Sequence, residues 1–180
     1  MPKEQRRRIW LAVAGSSTIL LGTVYVLVQQ ATRLAVDDLP LSTAQVVKIQ
    51  LESGAAPADV IPPIKTDLKK QTALFVSITD ADRNLLATST SLNGKPSLPP
   101  KGTFDYTAKH GIDRFTWQPA DGVRLATRML PYNHEGTKGF IVVGQSLSQA
   151  EKRITTYGLF VLAAWMVILA WTFMVLWFPL

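Results

Sequence analysis

The sequence predicts an α+β chain: an N-terminal helix packed on an antiparallel sheet of roughly five strands, with a membrane-spanning helix on either side. Three observations carry that prediction. Hydrophobic residues make up 47% of the chain and charged residues only 18%, against about 25% charged in a soluble domain. The apolar excess is concentrated in two uncharged runs, one near each end. Between them the apolar residues recur first at spacings of three and four, then every second residue, the periods of a helix and of a strand.

The first run is Ile9 to Val28, twenty residues without a charge, long enough to cross a hydrocarbon core of about 30 Å. Lys3, Arg6, Arg7 and Arg8 precede it against Glu4 alone. A basic flank of this kind keeps the N-terminus in the cytoplasm. A cleavable signal peptide has an apolar stretch of only about 7–15 residues and a small-x-small cleavage site. The exit through Val28, Gln29, Gln30 and Ala31 fits an uncleaved signal anchor better. The second run starts near Tyr157, and no residue after Arg153 carries a side-chain charge. The expected organisation is a cytoplasmic segment over 1–8, a span over 9–28, an extracytoplasmic domain over 29–153 and a second span over 154–180. Trp10, Tyr25, Tyr157 and Trp177 then fall near the interfaces, with Trp165 and Trp171 deeper. The location implied is the cell (inner or plasma) membrane, crossed twice with both termini cytoplasmic.

Charge supports this division. Residues 1–8 hold four basic residues and one acidic, and residues 31–153 hold fifteen basic and twelve acidic, so each part contributes +3 to the net +6. A nearly balanced middle domain argues against nucleic acid as a partner. The chain has no cysteine, which removes disulfides, thiolate metal sites and Cys-linked lipid anchors.

In the middle domain the helical pattern runs from Thr32 to Glu52. Pro40 predicts a break near Leu39 and a fresh start with Ser42 as N-cap, and Gly54 predicts the stop. A second short helix is expected over Ile64 to Gln71. Alternation over Leu74 to Thr79 marks a strand, Asp80 to Asn84 a turn, and Leu85 to Ser89 the returning strand. Residues 91–103 hold three prolines and two glycines and read as loop. Phe104 to His110 forms one or two helical turns closed by Gly111. Arg114 to Gln118 is a strand with Phe115 and Trp117 on one side. Asp121-Gly122 is a tight turn. Val123 to Leu130 and Gly139 to Leu147 are strands joined by a loop over PYNHEGTK. From Ser148 the chain runs as helix into the second span.

Searching for chemistry leaves little. GxSxG, HExxH, P-loop and dinucleotide patterns are missing. Gly144-Gln-Ser146 is half of a nucleophile elbow without the second glycine, and chance accounts for it. Asp80 and Asp82 lack the glycine and closing glutamate of a calcium loop, so they read as a solvated turn. His110 and His134 are ordinary placements beside a glycine and in a loop. No catalytic residue, metal site or cofactor is expected, and the chain is not expected to be an enzyme. Ala14, Thr18 and Gly22 recur every four residues on the first span. Such a stripe lets helices approach closely, either Ala163 or Ala164 of the same chain or a second copy in a homodimer.

The strand-to-helix segment Gly139, Phe140, Val142, Val143, Gly144, Ser146, Leu147, Glu151 and Arg153, leading into a span, resembles the extracytoplasmic sensor region of bacterial two-component sensor histidine kinases. The resemblance covers about residues 30–155. It implies a PAS-like or Cache-like domain that holds a small molecule between the sheet and the overlying 91–112 segment. Tyr106, Trp117 and Arg128 have the residue types for a carboxylate or aromatic ligand: a guanidinium fork and flat walls. Such receptors continue into a HAMP segment and a kinase core, whereas this sequence stops at Leu180 at the end of the second apolar run. The function expected is an accessory or receptor module for signal transduction without its own kinase, with a membrane-bound kinase or a second copy as partner besides the lipid bilayer. The alternatives are a non-sensing envelope structural or interaction protein, or a truncated remnant of a sensor kinase.

Overall fold

The computed structural model describes residues 1–70 and 72–178. The chain divides into two compact units, residues 1–33 with 150–180, and residues 34–149.

The first unit is a pair of helices. One is the N-terminal part of α1 (Lys3–Glu52) and the other is α3 (Ser148–Trp177). Both are long and apolar enough to cross a membrane. Beyond the buried Ala150, the partly buried positions of α3 include Ile154, Gly158, Val161, Trp165, Ile168 and Thr172. Their alternating spacing of four and three is the seam of a two-helix coiled coil. On α1 the seam runs through Trp10, Ala14, Ser17, Leu21, Tyr25, Val28 and Thr32.

The second unit is α+β, as the sequence predicts. Its main sheet has five antiparallel strands in the order β3-β2-β7-β6-β5. These are β2 (Phe75–Asp80), β3 (Leu85–Thr88), β5 (Asp113–Ala120), β6 (Val123–His134) and β7 (Thr137–Ser146). Two short strands, β1 (Thr66–Asp67) and β4 (Thr90–Ser91), pair in parallel beside it. The helix α2 (Lys101–His110) ends on Gly111 at φ 83°, whose N–H bonds the Thr107 carbonyl, the left-handed stop that favours glycine.

Each sheet face has its own core. On one face Val76, Ile78, Leu130, Tyr132, Ile141 and Val143 meet Ala44, Val47 and Leu51 of α1. On the other, Phe75, Leu125, Met129, Phe140, Val142 and Trp117 meet Phe104 of α2. The period of two along each strand separates these sets.

Three expectations are corrected. Pro40 does not break the helix: α1 runs through it unbroken. Pro40 lies on the buried stripe Asp37, Pro40, Ala44, Val47, Leu51, so packing on the sheet holds the segment helical despite the lost N–H. Ser42 does not cap a new helix, and its hydroxyl bonds back to the Leu39 carbonyl at 3.0 Å. The helix expected over Ile64 to Gln71 is instead β1 and a turn as far as Lys70, with Gln71 outside the described residues. The Thr66 and Leu68 N–H groups bond the Ser89 and Ser91 carbonyls, and burial of Leu68 in the α2-side core outweighs local helix preference. The expected PYNHEGTK loop is mostly strand. Pairing continues to His134↔Thr137, and only Glu135 (φ 49°) and Gly136 (φ 87°) turn the chain, as a two-residue hairpin of the primed type requires.

Candidate functional site

The sheet register decides which side chains share a surface. Trp117 pairs with Leu125, and Arg128 pairs with Arg114. Trp117 and Arg128 are eleven positions apart in sequence, and in the ladder they stand on opposite faces. Trp117 is buried on the α2 side, its ring edge-on to Phe75 at 6.2 Å between centroids. Arg128 stands on the α1 side, half-buried. Tyr106 is 49% exposed on α2, its ring stacked on His110 at 4.1 Å. Tyr106, Trp117 and Arg128 are therefore not brought together. Trp117 is a core residue, and a guanidinium on the other face cannot reach the same ligand, because the backbone of the sheet lies between them.

What the α1 face does bring together is Arg114, Arg128 and Asp37. Asp37 is nearly buried on the packed stripe of α1. Its carboxylate pairs with the Arg114 guanidinium, which remains half-exposed. Arg128, directly across the ladder from Arg114, has its Nε buried without a hydrogen-bond partner. A buried donor left without an acceptor costs about 1–3 kcal/mol, and like charges directly opposite across a ladder repel. Pattern reading missed Arg114 and Asp37. The signal was present in their parity, since Arg114 stands opposite Arg128 once the hairpin at Asp121-Gly122 is closed.

The histidines are kept apart. His110 Nδ1 lies 3.0 Å from the Tyr106 carbonyl on α2. His134 Nδ1 lies 3.0 Å from the Glu52 carbonyl at the C-terminal end of α1. Beside it the Asn133 N–H donates to Glu52 Oε1 at 3.2 Å. The β6–β7 hairpin thus covers the last turn of α1, where terminal carbonyls lack helical partners. Among the described residues no group of three or more His, Asp or Glu side chains is placed to hold a metal ion. Ser146 accepts the Ser148 N–H at 3.2 Å and donates to the Ser148 hydroxyl at 3.1 Å, so its hydroxyl is used in starting α3.

Two ionisable groups of the sheet are shifted. The Asp80 carboxylate accepts the Asn84 side-chain amide and the Asn84 backbone N–H, both at 2.8 Å. The side-chain bond above all holds its carboxyl below the usual value of 3.8, with the Asn84, Asp82 and Arg83 backbone groups contributing. Burial, and then the nearby charge of Asp80, push the Tyr132 phenol above 10.0. Its hydroxyl points to the Thr79 carbonyl at 3.4 Å.

In the helix pair, Thr18 and Gly22 of the predicted stripe line a groove of about 450 Å³ with Leu21, Tyr25, Gly158 and Trp165. The Trp165 indole N–H donates to the Thr18 hydroxyl at 3.0 Å. The Thr18 hydroxyl in turn donates to the Ala14 carbonyl at 2.7 Å. The small residue opposite is Gly158, where a Cβ would stand 3.2 Å from the Tyr25 ring. Ala163 and Ala164 are exposed, outside the seam.

No family model matches the chain, and no curated protein is similar enough to be counted a relative.

Proposed function

We propose that the chain is a two-span bacterial membrane protein presenting an extracytoplasmic sensor-like domain, acting as a receptor or accessory module in signal transduction rather than as an enzyme. The observation that carries this reading is how the sheet domain is entered and left. Both connections are helical: α1 is unbroken from Lys3 to Glu52, and a single residue, Leu147, separates the end of β7 from the start of α3. Helical connections of this kind can convert a change at the sheet into a helix displacement, provided a ligand binds the two states unequally. The five-stranded antiparallel sheet with a long helix across one face supports a PAS/Cache-like identity for the domain. The basic segment before the first span supports a cytoplasmic N-terminus.

In-membrane crosslinking of the tagged full-length protein, with mass spectrometry of the captured species, tests the reading. Capture of a membrane-bound kinase or transporter is expected. Capture of only the same chain, or of nothing, sinks partner-dependent output. One observation favours a second reading, a non-sensing envelope structural or interaction protein: Trp117, offered above as a ligand wall, is packed into the core.

A further inference from the structure

Arg114 and Arg128 stand directly opposite each other on β5 and β6, on the sheet face that α1 covers. Two guanidinium groups so placed repel, and partial removal from water strengthens the repulsion. One carboxylate answers them, Asp37, and it is committed to Arg114. Arg128 has no ionic partner among the described residues, and its Nε–H lacks an acceptor. The cluster of three carries one positive charge more than it neutralises.

We propose that Arg128, with Arg114 beside it, binds a small oxyanion, a carboxylate or phosphate group, and that the anion competes with Asp37 for Arg114. The terminal N–H groups of a guanidinium form a fork that meets two oxygens of one anion. Such an anion cancels the excess charge of the Arg114, Arg128 and Asp37 cluster. Drawing Arg114 toward the anion removes its hold on Asp37, so the liganded and free states differ in a contact made by α1. This names a ligand class for the receptor reading, and its signalling meaning rests on that reading, whereas the binding does not. The site lies on the face opposite Trp117 and is independent of the 91–112 segment.

The oxyanion can come from a dissolved solute or from a lipid headgroup, and the test separates these sources. Full-length protein in phosphatidylcholine nanodiscs is titrated with inorganic phosphate or with succinate at constant ionic strength. Binding is read by calorimetry and by the shift in thermal unfolding. A second preparation replaces part of the lipid by phosphatidylglycerol without added solute. Saturable binding in either arm, weakened by Arg128→Gln and less so by Arg128→Lys, is expected. Asp37→Asn should act in the opposite direction and tighten binding by about tenfold, since it removes the competitor. A purely structural role for the cluster moves both variants the same way. If Arg128→Gln fails to fold, Asp37→Asn and Arg128→Lys still decide. Lack of saturable binding in both arms, or binding indifferent to Arg128→Lys and Asp37→Asn, overturns the proposal. Either failure, beside capture of a kinase by crosslinking, leaves the receptor reading standing.

Discussion

Gly144 shows how much one missing side chain decides. A Cβ there would stand 2.8 Å from the Phe75 ring and 2.9 Å from the Ala126 carbonyl, too close for real atoms. Gly139 is likewise occupied, by the Tyr132 ring and the Thr79 carbonyl. These are two of the glycines in the strand-to-helix segment that carries the sensor resemblance, and packing explains both. Gly144→Ala should cost about 1–3 kcal/mol, as overpacking of a filled core does. Gly102, with open space around it on α2, is the control: Gly102→Ala should be neutral or stabilising by up to about 1 kcal/mol. Thermal unfolding followed by near-ultraviolet circular dichroism would compare the two. The pH response also belongs to single residues. The Asp80 carboxyl is depressed below 3.8, so its contribution is present above that value and lost as pH falls through its folded-state value. Asn84→Ala should remove the acid-side dependence. The Tyr132 phenol is raised above 10.0, so its contribution is full below 10.0 and lost as pH climbs through the folded value. Tyrosinate absorbance of wild type and Tyr132→Phe should differ by one late-titrating group, and a Tyr132 that ionises at the usual 10.0 would contradict the burial argument.

Among the elements, α1 is the instructive one. Its stretch from Asp37 to Leu51 is held by the sheet, its last turn by His134 and Asn133. Its N-terminal part is held by α3 along a four-and-three seam. Within a bilayer apolar burial gives little drive between helices, so close packing and polar contacts carry the association. The Trp165-to-Thr18 bond is one such contact. Thr18→Val should therefore weaken the pair by about 0.6–1.7 kcal/mol, while Thr23→Val, whose hydroxyl bonds only its own helix at the Ile19 carbonyl, should not. Tryptophan fluorescence during denaturation in detergent is the readout, and equal loss in both variants would remove Thr18 from the seam. The strand elements teach the reverse lesson to Pro40: β1 and β4 have two residues each, and pairing between them, not local pattern, makes them strands.

For the whole molecule, the testable statement is orientation. The chain contains no cysteine, so a single introduced thiol reports without background. Asp82→Cys, in the exposed β2–β3 turn, should react with a membrane-impermeant maleimide on intact spheroplasts. Lys3→Cys should react only after lysis. The reverse pattern would place the sheet domain in the cytoplasm and remove the extracytoplasmic reading. A result with both thiols protected until lysis would do the same.

The sequence by itself determined the two apolar helices, the helix-then-sheet order, the five long strands and most of their turns. These are local quantities: uninterrupted apolar length, the period of side-chain burial, and turn residues such as Gly54, Gly111 and Gly122. It also singled out Arg128, and the Thr18 and Gly22 stripe. The tertiary structure alone decided which residues meet. Parity along paired strands sent Trp117 and Arg128 to opposite faces, and put Arg114 beside Arg128 and beneath Asp37. Burial on the sheet carried α1 through Pro40, where local preference argues for a break. Parallel pairing turned Thr66 and Asp67 from helix into strand. In each case the deciding energy came from residues far away in sequence, and no window along the chain contains it.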